Sequence, residues 1–115
     1  MTLDQYHLAI TEIANYTDPG AYASDIALSS VFPEDGDLTA IAEDLLRIWT
    51  AYHMSVRGLR KVAGLTQADF ARRFAIPKRT IENWEAKPSA NARECPLYTR
   101  LLIADALGLL PEVET

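Results

Sequence analysis

Residues 64–85 read GLTQADFARRFAIPKRTIENWE, and this stretch decides the fold. Gly64 suits the end of a helix, because a residue without a Cβ takes the left-handed backbone there at no steric cost. Thr66 follows as a helix cap, its hydroxyl able to accept a first-turn backbone N–H. Phe70, Ala71 and Phe74 then recur at helical spacing, which predicts a helix over 67–74 with all three inward. The break Ala75-Ile76-Pro77 separates it from a second short helix over 78–85, with Ile81 and Trp84 inward. Two short helices joined by a tight turn form a helix-turn-helix, and Ala71 is small enough to let them cross closely.

Reading outward from this pair gives helices on both sides. Ser55 caps a segment running to Ala63 with Val56, Leu59 and Val62 inward, and Pro96 opens another through Ala106 that Gly108 stops. Near the start, Thr2 and Gln5 have the form of a capping box, and Leu3, Tyr6, Ile10 and Ile13 make one apolar stripe over 3–16. Asp18 caps a shorter helix whose first position is Pro19 and whose end falls near Ser29. Residues 29–37 read as a solvated loop, and Asp37 caps the longest helix, over 38–53. No alternating run of β-branched residues and no hairpin turn between such runs occurs, so the expected fold class is all-α. The expected architecture is a small helical bundle carrying a helix-turn-helix, with an N-terminal helical extension. The domain reading is 1–53 as an N-terminal helical region and 54–115 as the helix-turn-helix domain.

The charge distribution agrees with two different halves. The whole 115-residue chain has a formal net charge of −5, which alone argues against simple coating of a polyanion. Residues 1–50, however, hold nine acids against Arg47, whereas residues 51–100 hold ten bases against four acids. Such asymmetry points to a polyanion-binding half joined to something else. No Lys or Arg precedes Arg47, so no secretory or transit signal is expected, and the longest apolar stretch, 101–110, is too short to span a membrane. Cys95 is alone, which excludes an intrachain disulfide and fits a reducing cytoplasm.

Leu59-Arg60-Lys61, Gly64-Leu65-Thr66-Gln67, Phe70-Ala71, Ile76, Thr80-Ile81, Trp84-Glu85 and Leu107-Gly108 together resemble the lambda-repressor-like, Xre/Cro-type DNA-binding family over about residues 55–110. The resemblance implies a sequence-specific transcriptional regulator, bacterial or phage-type and cytoplasmic, most simply a repressor. Its helix 78–85 would enter the major groove of double-stranded DNA, with Arg79 first in line to read a base edge and Asn83 able to pair with adenine. It also implies that Gln67 lies against the DNA backbone, that Thr66 offers its hydroxyl to a phosphate, and that Lys78 and Lys87 face groove or backbone. Arg57, Arg60 and Lys61 are further candidate phosphate contacts. Glu82 shares the presented face, where it either accepts from cytosine N4 or marks a surface that meets protein. The sequence departs from the family in having Ala75 where the turn usually has Gly, and Ala86-Lys87-Pro88 after Trp-Glu. Family modules commonly read two half-sites as dimers, so a homodimer is expected, with the N-terminal half as its interface.

Other chemistries fit less well. His7, His53 and Cys95 lack the short spacing of a zinc site, and Glu34-Asp35-Gly36-Asp37 lacks the spaced acids of a calcium loop, so no metal or other cofactor is expected. A Cys95–His53 pair has no oxyanion or orienting motif beside it, so no enzymatic activity is expected. Trp49, Trp84, Tyr6 and Tyr52 fall on apolar stripes and read as core. Two alternatives stay open: an adaptor that keeps the fold but binds protein, and an antitoxin-type repressor whose acidic half caps a basic toxin.

Overall fold

A computed structural model describes residues 1–86 and 94–114 of the chain. Among these residues it is all-helical, with seven α-helices and no strand: α1 Leu3–Glu12, α2 Pro19–Ala27, α3 Leu38–His53, α4 Val56–Ala63, α5 Gln67–Phe74, α6 Lys78–Glu85 and α7 Leu97–Ala106. A single 3-10 turn, Ile13–Asn15, continues α1 and accounts for the end of the helix expected over 3–16. Among the described residues, no helix is long and apolar enough to cross a membrane.

The helix starts are set by the side chains named from sequence. Thr2 and Gln5 form a reciprocal capping box at α1. Asp18 accepts from the N–H of Ala21 at 2.7 Å, with Pro19 as the first residue of α2. Asp37 accepts from Thr39 and Ala40 at α3, Ser55 from Gly58 at α4, and Thr66 from Asp69 at α5. Each satisfies a donor that the helix itself leaves unpaired. Pro77 precedes α6 without a side-chain cap, its ring holding φ at −56°.

The chain divides into two compact units. The first comprises Met1–Tyr52 together with Gly108–Thr115, so the last eight residues group with the N-terminal region instead of with the domain read as 54–115. In this unit Ala9, Ile13, Tyr22, Ile26, Phe32, Leu45, Ile48 and Leu110 are buried. The Tyr22 hydroxyl donates to the Ala9 carbonyl at 2.8 Å, and burial pushes its phenol above the ordinary range. Arg47 donates to the carbonyls of Gly108 and Leu110 at 3.3 and 3.1 Å, and Thr2 pairs in a parallel bridge with Glu114. Leu3, placed on the apolar stripe of α1 by its spacing, is 60% exposed, because the inward face of that helix is centred on Ala9 and Ile13.

The second unit, His53–Leu107, contains α4 to α7 around Val56, Leu59, Phe70, Ala71, Ile81, Cys95, Ile103 and Ala104. Ala71 is buried as the crossing requires, and Phe74 packs against Phe70 with the rings tilted and their centroids 4.9 Å apart. Val62, expected inward, is 56% exposed, since Val56 and Leu59 define the packed face of α4.

Helices α4 and α5 end in the same way. The N–H of Gly64 bonds Lys61, and that of Leu65 reaches back to Arg60; the N–H of Ala75 bonds Arg72, and that of Ile76 reaches back to Ala71. Both use a left-handed residue, Gly64 at φ 71° and Ala75 at φ 54°. Ala75 is the one non-glycine residue with positive φ among those described, so the turn keeps its left-handed conformation without the usual Gly.

Candidate nucleic-acid interface

Helix α6 is fixed on one side and open on the other. Ile81 is fully buried and Trp84 half-buried, whereas Lys78, Arg79, Glu82 and Asn83 are all exposed. At about 100° per residue these four fall within an arc of about 140°, so they form one face of a helix narrow enough for a major groove. Lys78 and Glu82 lie one turn apart with Nζ and Oε1 separated by 3.8 Å, which partly offsets the negative charge on that face.

What holds α6 in place is Glu85. A carboxylate in the last turn of a helix is disfavoured by the helix dipole, so its presence there calls for a cation. Arg60 supplies one: its Nε and Nη2 each donate to a Glu85 oxygen at 2.8 Å, and its Nη1 donates to the carbonyl of Leu65 at 3.1 Å. Arg57 approaches the same carboxylate at 3.5 Å, and the nearby Gln67 side chain also favours its charged form. The Glu85 side chain is only 2% exposed, and the Arg60 guanidinium holds its carboxyl below the usual carboxylate range. The cluster therefore joins α4, the turn before α5, the start of α5 and the end of α6.

This arrangement sorts the candidate phosphate contacts. Arg60 has its side chain 16% exposed and a donor on each guanidinium nitrogen committed within the protein, so it braces α4 against α6. Arg57 keeps 61% of its side chain exposed, and Lys61 is exposed on α4. Gln67, the first residue of α5, is half-buried near Glu85 and favours its charged form. The Thr66 hydroxyl accepts from Asp69 N–H at 3.1 Å. Lys87 lies outside the described residues.

Arg57, Arg60, Thr66, Gln67, Ala68 and Lys78 line an open concavity of about 490 Å³. Cationic side chains and the unpaired first-turn N–H groups of α5 converge there, a chemistry suited to an oxyanion such as a backbone phosphate. The role of Glu85 as common acceptor was missed in the sequence, where it stood only as the end of a motif. The signal available was its position, an acid in the C-terminal turn of α6. Among the described residues, no three His, Cys, Asp or Glu side chains gather closely enough to hold a metal ion. Searches of protein-family models, of curated proteins and of solved structures find no match to this chain.

Proposed function

We propose that the chain is a sequence-specific, double-stranded DNA-binding regulator of the Xre/Cro type, acting in the cytoplasm as a repressor. The observation that carries this reading is the exposure of Lys78, Arg79 and Asn83 together on one face of α6, opposite the buried Ile81. Arg79 donates to guanine O6 and N7, and Asn83 pairs with adenine. Lys78, Arg57 and the start of α5 meet the phosphates, and these contacts fix register without reading sequence.

Two copies bind two half-sites. The N-terminal half supplies the interface, as the sequence suggests; Tyr98 and Leu102, one turn apart on α7 and 70% and 69% exposed beside Asp105, are the alternative surface.

The test is selection of bound duplexes from a random pool, followed by titration of the selected and a random duplex with salt. Enrichment of a paired half-site, with affinity falling steeply and linearly in log salt, supports the reading. Absence of binding to any duplex at about 50 mM salt overturns it in favour of an adaptor. That second reading draws on the Lys78–Glu82 pair, which makes part of the presented face neutral and suited to a protein surface.

A further inference from the structure

The first unit carries a groove that the DNA-binding reading does not use. Ala23 and Ala27 of α2 and Leu28 just past its end face Leu38, Ala42 and Leu46 of α3 across a space of about 400 Å³. Leu28 is 74% exposed, Leu38 48% and Leu46 39%, so three leucines stand in solvent along its edges. Exposed apolar surface gathered in one concave place marks an interaction site, unlike single leucines scattered over a protein. Leu38 and Leu46 are eight residues apart on α3, a span of about 12 Å, which matches a little over two turns of a helix laid alongside.

The surroundings say which kind of helix. The first unit holds eleven carboxylates against the single guanidinium of Arg47, and that guanidinium is bonded to the Gly108 and Leu110 carbonyls. Glu43 stands in the groove wall. A second copy of this unit would add eleven carboxylates to the eleven already present. A basic partner instead gains attraction from the unit's negative charge and burial at the floor.

We propose that the α2–α3 groove is the docking site for a basic amphipathic helix of another protein. Its leucine-like anchors enter between Leu28, Leu38 and Leu46, and its Lys and Arg residues meet Glu43 and the negative charge of the unit. The proposal stands on the first unit alone and does not depend on DNA binding by α6.

The test uses the full chain and a synthetic amphipathic peptide of about 18 residues, long enough to form a helix, with Leu on one face and Lys on the other. A matched peptide with Glu in place of every Lys serves as the comparison, and binding is read by fluorescence anisotropy. Leu28→Gln and Leu46→Gln keep the charge of the protein and change exposed side chains. The Lys peptide is expected to bind, each Gln variant to weaken it about tenfold, and the Glu peptide to bind at least about tenfold more weakly than the Lys peptide. The proposal is overturned if the Lys peptide does not bind. It is also overturned if the Gln variants bind it as well as the parent does, since charge alone would then be acting. A dimer in sedimentation that Leu28→Gln dissolves would assign the groove to a second copy and overturn it likewise.

Discussion

Arg60 and Glu85, twenty-five residues apart in the chain, meet through two parallel 2.8 Å hydrogen bonds. This pair ties the end of the presented helix to α4, so the orientation of Arg79 depends on a carboxylate that never faces a ligand. Glu85→Gln should therefore destabilise the protein by about 3 kcal/mol, because it leaves the Arg60 guanidinium without its counter-charge in a place where only 16% of the side chain is exposed. Chemical denaturation checks the magnitude.

The same carboxylate gives a pH dependence of known sign. Its folded-state value is lowered from 4.5, so the pair contributes fully at neutral pH. That contribution begins to fall as pH drops past 4.5 and is gone below the lowered folded value. Denaturant midpoints measured from pH 6 to 3 should fall less steeply for Glu85→Gln than for the parent. Parallel curves would show that the carboxylate is not held as described.

At Ala75 the left-handed backbone costs about 1 kcal/mol for a residue with a Cβ, part of which glycine returns through its freer unfolded chain. Ala75→Gly is expected to stabilise by about 0.5 kcal/mol and to raise Tm by about 2–4 °C. Ala75→Val should act in the opposite direction, since a β-branched side chain tolerates this conformation least. Paired thermal melts decide both signs.

Arg79→Ala should cost about 1–3 kcal/mol on a selected duplex and relax preference at one base position. Lys78→Ala should weaken all duplexes alike and reduce the slope of log affinity against log salt by about one. Unchanged affinity of Arg79→Ala for its selected site would remove α6 from the role of reader.

Tyr22→Phe deletes a buried hydroxyl that donates to Ala9 at 2.8 Å while leaving the ring contacts with Tyr16 and Trp49 in place. A loss of about 1 kcal/mol is expected, measurable by urea denaturation.

Much of the fold was legible because its punctuation is local. Thr2, Asp18, Asp37, Ser55 and Thr66 cap helices through atoms three or fewer residues away, and Gly64 ends α4 through its own backbone freedom. Periodicity also identified the face of α6 that carries Lys78, Arg79, Glu82 and Asn83. What escaped depends on partners distant in sequence. The grouping of residues 108–115 with the first unit goes with ties to Arg47, some sixty positions earlier, and to Thr2 near the chain start, and no helical period announces it. Arg60 looked like one cation among several until its bonds to Glu85 and Leu65 separated it from the exposed Arg57 and Lys61. Leu3 and Val62 follow apolar spacing yet lie outside, because the burial of a stripe is decided by what packs on it.

Arg47 closes the tail onto backbone carbonyls, which have no proton to gain, whereas the clasp on α6 ends in a carboxylate that gains one well below pH 4.5. Strong acid thus unfastens one guanidinium and leaves the other its two carbonyls. Amide hydrogen exchange followed through that range would lose protection around the helix that carries Arg79.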